Sequence, residues 1–156
     1  MQAIKVRRLG PTDIADMREV NQLFATEFDD VVSYGSAPPG DAYFERALSR
    51  AETIVLVASL NGEIVGALVA YVLQKLEQER SEIYIYDLAV AADHRRKGIA
   101  TRLIEQVQRI AAELGAWVIY VQADTGEEDQ AAIALYEKLG TREEVLHFDI
   151  APSVTR

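Results

Sequence analysis

The chain has 156 residues, of which 49% are hydrophobic, and its 25 acidic and 16 basic residues give a net charge of −9. This length suits one well-buried core and is too short for two full domains. We therefore expect a single domain over residues 1–150 and a frayed tail over residues 151–156. The acidity argues against nucleic acid and membrane surfaces as partners and favours a small polycationic molecule.

The absence of cysteine removes disulfides, thiolate metal sites and thiol nucleophiles, so any acyl transfer would be direct. The two histidines, His94 and His147, have no metal-ligand spacing, and we expect no metal. No apolar stretch is long enough to cross a bilayer, and the first residues lack the hydrophobic segment of a secretory signal. The expected location is the cytoplasm.

The first half of the chain predicts helices followed by a β-hairpin. Asn61-Gly62 is the strongest short hairpin signal, and it joins two β-rich runs. Residues 28–40 are the only long segment predicted to be irregular within the domain, and such loops are often functional. The predicted elements are a strand at residues 4–8, helices from residue 14 to about residue 24 and at 43–48, and strands at 53–60 and 63–73.

The second half alternates strands with helices. The predicted elements are strands at residues 81–90, 116–123 and 144–150 and helices at 99–114 and 130–139. A helix between two strands predicts a locally parallel pair. With the antiparallel hairpin before it, the pattern predicts an α/β (α+β) fold with a mixed central sheet and about four helices.

Three cations and a glycine stand where the strand at 81–90 gives way to the next helix. The unpaired N–H groups and positive dipole end of a helix can hold a phosphate, and glycine lets the backbone approach it. A diphosphate is the expected ligand, and a solvated basic surface is the alternative. The predicted phosphate loop comprises Arg95, Arg96, Lys97, Gly98, Ile99, Ala100 and Thr101, with His94 in it or at its surface.

This loop reads Arg-x-x-Gly-x-Ala, and a later helix reads Ala-Leu-Tyr-Glu-Lys-Leu-Gly at residues 134–140. Together they resemble the GCN5-related N-acetyltransferases, the GNAT superfamily. The resemblance implies acetyl-CoA as cosubstrate, with its pyrophosphate on the loop, and a sheet that splays open where the strands bearing Leu88 and Val121 diverge. It implies that Tyr136 is the general acid beside the thioester sulfur. The other implied cofactor contacts are Leu88, Ala89, Val90, Asp129 and Ala132, although many members have asparagine at position 129.

Acetyl transfer to an amine needs a base, a hydrogen-bond donor to the carbonyl oxygen and a proton for the departing thiolate. Asp87 is the predicted base, because its apolar and aromatic neighbours raise the proton affinity of a carboxylate. A carboxylate bonded to a nearby backbone N–H is the alternative role, and Glu82 could act through a water instead. The N–H of Leu88 or of Ala89 is predicted to polarise the thioester carbonyl.

Three stretches carry a narrower resemblance: Arg-Ser-Glu-Ile-Tyr-Ile-Tyr-Asp-Leu-Ala-Val at residues 80–90, Tyr-Val-Gln-Ala-Asp at 120–124 and Val-Leu-His-Phe-Asp-Ile at 145–150. They are similar to the type I aminoglycoside 3-N-acetyltransferases, the gentamicin-modifying branch. This implies acetylation of the 3-amino group of an aminoglycoside's deoxystreptamine ring, antibiotic resistance, and a homodimer whose partner could complete the C-terminal sheet edge. A polyamine or protein-amine acetyltransferase and a non-catalytic acyl-CoA-binding module are the alternatives.

The implied substrate agrees with the charge pattern, because carboxylates at the mouth of a cleft concentrate a polycation. Glu27 belongs to the first acidic cluster. Tyr84 and Tyr86 are expected to be packing residues or walls of the substrate cleft. For Glu127 and Glu128, the alternative is that they lie on a solvated face with no role in binding. The predicted substrate-binding residues are Asp29, Asp30, Tyr34, Tyr86, Asp124, Glu127, Glu128 and Asp149.

Overall fold

A computed structural model describes residues 3–154, which form two compact units that divide after Gln122. The first unit contains a five-stranded sheet, and the second contains one helix of ten residues. The elements of the first unit are β1 (Lys5–Arg8), α1 (Ile14–Glu27), α2 (Val31–Gly35), α3 (Asp41–Ser49), β2 (Thr53–Leu60), β3 (Glu63–Gln74), β4 (Ser81–Val90), α4 (Ile99–Leu114) and β5 (Ala116–Val121). The helix of the second unit is α5 (Gln130–Leu139).

The sheet is mixed, as predicted. Its order is β1-β2-β3-β4-β5, with antiparallel neighbours from β1 to β4 and a parallel pair at β4 and β5. Asn61 and Gly62 join β2 to β3 with φ of 53° and 83°, the backbone that a tight hairpin turn requires. These features confirm the predicted hairpin and the predicted fold class.

Helices cover both faces of the sheet. On one face, α1 and α3 pack through Val20, Phe24 and Phe44 against alternate residues of β2 and β3, such as Val57 and Val69. On the other face lies α4, whose apolar stripe repeats at helical spacing. The buried residues of α4 are Ile99, Leu103, Ile104, Val107, Ile110 and Ala111.

A β-bulge in β4 changes the face to which its side chains point. Asp87 pairs with Val69 of β3, but the next pair joins Ile85 to Ala70, so Tyr86 is an extra residue in β4. Paired residues share a face, and Val69 belongs to the core under α1. The bulge therefore leaves Ile85 on the α4 face and places Asp87 on the α1 face.

The parallel pairing stops half-way along β4. It runs from Ser81 with Ala116 to Ile85 with Val121, while β4 continues to Val90. Within residues 3–154, no strand pairs with that side of β4 after Ile85. This is the opening that the resemblance implied.

Two local predictions are wrong. Residues 28–40 are not wholly irregular, because residues 31–35 form α2, whose start Asp30 caps by accepting a hydrogen bond from the N–H of Ser33 at 2.9 Å. Residues 144–150 form no strand in the described part of the chain. An alternating apolar pattern supplies the side chains of a strand but not the neighbouring backbone that its N–H and C=O groups need.

Among residues 3–154, no helix has the length and apolar character needed to cross a membrane.

Candidate active site

Asp87 is a half-buried carboxylate at the bulge of β4. Tyr34, from α2, donates its hydroxyl to Asp87 Oδ1 at 2.5 Å. Burial raises the pKa of Asp87, and the hydrogen bond from Tyr34 opposes this rise by stabilising the charged form. The described hydrogen bond at this carboxylate thus comes from a tyrosine rather than from a backbone N–H. A carboxylate with raised proton affinity is suited to accept a proton from a substrate.

Tyr34 is held by aromatic packing as well as by its hydrogen bond. Its ring lies 5.7 Å from those of Phe24 and Phe28, which stack on each other at 5.3 Å. Burial, followed by the hydrogen bond to Asp87, raises the pKa of Tyr34. Tyr34 therefore keeps its proton and remains a donor to Asp87.

Four tyrosines from three neighbouring strands form a surface that we call the tyrosine floor: Tyr71, Tyr84, Tyr86 and Tyr120. The register places Tyr71, Tyr84 and Tyr120 opposite one another across β3, β4 and β5. Tyr84 stacks on Tyr120 at 4.6 Å, and Tyr71 meets Tyr86 edge-on at 6.0 Å. Burial, and then the charge of Asp87, raise the pKa of Tyr71. The floor therefore adjoins the candidate base.

Glu82 has a different environment. It precedes Asp87 by five residues on β4, about 15 Å in an extended strand. Its carboxylate lies 3.6 Å from the Nζ of Lys75. Glu82 is therefore distant from Asp87, and the negative charge of Glu82 is paired with the ammonium group of Lys75.

The phosphate loop has the backbone that the sequence predicted. Gly98 has φ of 76° and directly precedes α4, whose first described hydrogen bond joins the Arg102 N–H to the Gly98 carbonyl at 3.1 Å. The N–H groups of the next three residues, Ile99, Ala100 and Thr101, therefore have no partner within the helix. A Cβ on Gly98 would meet nothing within 4 Å, so backbone conformation rather than space favours glycine there.

The three cations of the loop are not equivalent. The Arg95 guanidinium lies 2.7 Å from Glu27 Oε1 at the end of α1, and the Glu27 side chain is only 10% exposed. The Nζ of Lys97 lies 3.5 Å from His94 Nδ1. Arg96 is exposed and has a φ of 62°. Glu27, predicted to belong to the first acidic cluster, forms an ion pair with Arg95 of the phosphate loop.

The hydrogen-bond ladder distinguishes the two predicted donors to the acetyl group. The Ala91 N–H donates to the Val65 carbonyl of β3 at 2.8 Å. Because alternate residues of an antiparallel strand direct their N–H groups to the same neighbour, the N–H of Ala89 also faces β3. The N–H groups of Leu88 and Val90 face the opening beside β5. Leu88 is therefore the better placed of the two donors.

Gly66 of β3 lets α4 begin close to the sheet. A Cβ at this position would lie 2.8 Å from Ile99 Cγ2, which is closer than packed carbon atoms approach. Because Gly66 has no side chain, Ile99 at the start of α4 packs directly on the sheet. This contact sets the distance between the phosphate loop and the sheet.

The acidic residues after α1 are near the surface. Asp29 is exposed and has a φ of 50°, a left-handed conformation that aspartate tolerates better than most residues. The backbone hydrogen bond from Ser33 lowers the pKa of Asp30, which therefore stays charged. Asp29 and Asp30 precede α2, which carries Tyr34.

The second unit contains the other predicted site residues. The N–H of Asp124 donates to Asp129 Oδ2 at 2.8 Å, which closes the turn before α5. Asp149 Oδ1 lies 2.8 Å from His147 Nε2. Burial, and then the charge of Asp129, raise the pKa of Tyr136, so its hydroxyl keeps a proton to donate. Glu127 and Glu128 are exposed, and Ala132 is half-buried. The functional roles of these residues remain predictions.

A profile of the Acetyltransferase (GNAT) family matches residues 17–141. The chain belongs to this family. Acetyl-CoA is the acetyl donor of GNAT acetyltransferases, and the residues of this chain suit it. The open N–H groups and exposed cations of the phosphate loop match a pyrophosphate, and the unpaired side of β4 offers backbone groups to the amides of the pantetheine arm. Among residues 3–154, no group of histidines and carboxylates could hold a metal ion.

Solved structures of similar proteins include two aminoglycoside acetyltransferases from uncultured soil metagenomic samples. One is 54% identical, with a TM-score of 0.95, over 97% of this chain and 99% of that chain. The other, solved in complex with sisomicin, is 30% identical, with a TM-score of 0.87, over 96% of this chain and 97% of that chain.

Curated relatives are more distant. The catalytic subunit of the N-terminal acetyltransferase A complex of Arabidopsis thaliana is 37% identical over 101 residues, which is 63% of this chain and 50% of that protein. An acetyltransferase of Pectobacterium atrosepticum is 35% identical over 95 residues, 61% of this chain and 62% of that protein. The match thus covers between half and two thirds of the length of these relatives.

Proposed function

We propose that this GNAT acetyltransferase transfers the acetyl group of acetyl-CoA to the 3-amino group of the deoxystreptamine ring of aminoglycosides such as gentamicin, and so confers resistance. The observation that carries the substrate class is the 54% identity with an aminoglycoside acetyltransferase over 97% of this chain. The choice of the 3-amino group depends on the resemblance of residues 80–90, 120–124 and 145–150 to the type I enzymes.

Asp87 is the proposed base. An aminoglycoside amine is mostly an ammonium at neutral pH and attacks a carbonyl only after it loses a proton. Burial at the bulge raises the pKa of Asp87, which strengthens it as a proton acceptor, while the hydroxyl of Tyr34 fixes one carboxylate oxygen and leaves the other for the substrate.

The opening beside β4 is the proposed acetyl site. When bound, acetyl-CoA supplies an activated acetyl group and a thiolate leaving group. The N–H of Leu88 would donate to the carbonyl oxygen as that oxygen gains charge. The N–H groups of Ile99, Ala100 and Thr101 would hold the pyrophosphate, and Tyr136 is the proposed proton donor to the thiolate.

The tyrosine floor and nearby carboxylates are the proposed acceptor site. Aromatic faces attract ammonium groups, and the exposed ring of Tyr86 projects beside Asp87. Asp29 and Asp30 add negative charge near the α2 end of this surface. A polycation with a sugar ring has both the charge and the flat faces that such a surface binds.

The direct test is to incubate the protein with acetyl-CoA and gentamicin and to assign the product by mass spectrometry and NMR. We expect one added acetyl group on N3 and at least about a 100-fold loss of turnover in Asp87→Asn. Acetylation at another nitrogen would refute the 3-amino assignment. If gentamicin is not acetylated although acetyl-CoA binds, the protein is a binding module or uses another acceptor.

A peptide or polyamine amine is the second candidate acceptor, favoured by the 37% identity with the Arabidopsis subunit over 101 residues. Competition between gentamicin, spermidine and an unblocked peptide in one reaction separates the candidates. We expect gentamicin to have the highest kcat/KM, because the combination of aromatic floor and carboxylates suits a compact ringed polycation.

A further inference from the structure

Two carboxylates lie on the same face of β4, one at each end of the tyrosine floor. The register pairs three residues of β4 with every second residue of β3: Asp87 with Val69, Tyr84 with Tyr71, and Glu82 with Leu73. Alternate residues of a regular strand point to one side of the sheet, and paired residues share a face. The floor therefore has Asp87, the proposed base, at one end and Glu82 at the other.

Glu82 is largely shielded from solvent and borders the floor. Its side chain is 18% exposed. Burial, and then the charge of Glu82, raise the pKa of Tyr120, whereas the charge of Lys75 lowers it. Both charges are thus close enough to act on the hydroxyl of Tyr120, whose ring stacks on Tyr84. A carboxylate that is partly withdrawn from water attracts an ammonium group more strongly than one in open solvent.

Lys75 faces Glu82 and has a second carboxylate within reach. Its Nζ lies 3.6 Å from Glu82 Oε1 and 4.0 Å from Glu77 Oε2. Both distances exceed the length of a charge-assisted hydrogen bond, and the Lys75 side chain is 34% exposed. Lys75 can therefore turn toward Glu77 when another cation binds Glu82, and it keeps a partner for its charge.

We propose that Glu82 binds an ammonium group on a ring of the aminoglycoside remote from the reacting amine, and that this ammonium replaces Lys75, which turns to Glu77. This inference rests on the proposed function, because that function places the reacting amine at Asp87. The bulge shortens the path along β4, so the backbones of Asp87 and Glu82 lie roughly 13–15 Å apart. Several linked sugar rings extend over that distance, whereas a single ring does not. Glu82 therefore favours long polycations, whose rings lie on the tyrosine floor between the two carboxylates.

The first test compares a long acceptor with a short one. Initial rates with acetyl-CoA are measured for gentamicin and for 2-deoxystreptamine, its central ring alone. In Glu82→Gln we expect kcat/KM for gentamicin to fall about fivefold to tenfold, mainly through KM, and kcat/KM for the single ring to stay within about twofold of the parent. Glu79→Gln removes the same charge from an exposed residue between β3 and β4, and this control should change neither value. An equal loss with both acceptors, or no loss with gentamicin, would overturn the proposal.

The second test measures binding without turnover. Gentamicin is titrated in a calorimeter into protein saturated with CoA, which has no acetyl group to transfer. We expect Lys75→Met to bind gentamicin about twofold to fourfold more tightly, because no internal cation then competes for Glu82. Lys5→Met, on an exposed lysine of β1 at the opposite edge of the described sheet, should bind like the parent. If Lys75→Met binds gentamicin no more tightly than the parent, the replacement of Lys75 is refuted.

These measurements distinguish the Glu82 site from the proposed function. If gentamicin is acetylated at a nitrogen other than N3, and Glu82→Gln still weakens its binding but spares the single ring, the 3-amino assignment fails and the Glu82 site stands. If N3 is acetylated and Glu82→Gln binds gentamicin like the parent, the proposed function stands and the Glu82 site fails. Absence of gentamicin binding contradicts both.

Discussion

Tyr34→Phe tests whether the contact at Asp87 controls the chemistry. The substitution removes the hydroxyl that donates to Asp87 Oδ1 at 2.5 Å and retains the ring that packs on Phe24 and Phe28. A hydrogen bond to a charged group contributes about 1.5–3 kcal/mol, and partial solvation of Asp87 favours the lower end. Loss of about 1.5 kcal/mol of stabilisation from the charged carboxylate lowers kcat/KM about tenfold on the acidic limb, where less of the base is deprotonated.

The pH profile distinguishes this effect from general damage to the fold. The hydroxyl of Tyr34 stabilises the charged carboxylate, so its removal raises the pKa of Asp87 further and moves the acidic limb of kcat/KM to higher pH. Release of the CoA thiol, followed with a chromogenic disulfide between about pH 5.5 and 9, measures both the limb and the plateau. Tyr43→Phe, on an exposed tyrosine of α3, is the control. An acidic limb that stays in place or moves to lower pH would refute the assignment of Tyr34 and Asp87 as a unit.

Three further predictions follow from single contacts. Because the pKa of Asp87 is raised in the folded state, the native protein binds more protons than the unfolded chain between the two pKa values. The free energy of unfolding therefore falls as pH rises through that window. Asp87→Asn lacks this contribution, so in melting curves from pH 4 upward the melting temperature of the variant should rise relative to that of the parent. Glu27→Gln keeps a hydrogen-bond acceptor for its arginine partner but removes a negative charge beside the phosphate loop, so calorimetry should show CoA binding up to about fivefold tighter, with a steeper salt dependence. Gly66→Ala places a Cβ 2.8 Å from Ile99 Cγ2 and should cost about 1–3 kcal/mol in urea unfolding and weaken CoA binding, whereas Gly40→Ala, with nothing within 4 Å, should do neither.

Local signals predicted the parts of the fold that local interactions determine. The turn at Asn61 and Gly62 requires positive φ, and the apolar stripe of α4 repeats at helical spacing, so both are visible in a short window of sequence. The phosphate loop is equally local, because Gly98 and the first turn of α4 are adjacent in the chain. Asp87 was predicted as the base from its neighbours in the same strand, and the structure shows that it is half-buried.

The features that the sequence did not predict depend on residues far apart in the chain. Glu27 and Arg95 are separated by 68 positions, and neither has a local signal for the other. The parallel register that brings Tyr120 beside Tyr84 depends on how α4 crosses the sheet. The bulge at Tyr86 depends on its pairing with β3. The strand predicted at residues 144–150 is absent from the described structure, because an alternating pattern does not specify the neighbouring backbone that a strand needs.

The extra residue at Tyr86 divides β4 into two parts whose side chains alternate in opposite phase. Before it, β4 keeps the strict alternation that a two-layer core requires, with Ile83 and Ile85 sealed on the α4 side. After it, the alternation is offset by one, and a carboxylate takes a place that would otherwise face that apolar layer. Deleting Tyr86 would remove the bulge and a ring of the acceptor surface, but Asp87 would still pair with Val69 and would follow Ile85 directly, so the carboxylate would stay on the α1 face. If Tyr86 were kept and paired regularly with Val69, Asp87 would instead pair with Leu68 and point toward the apolar layer under α4.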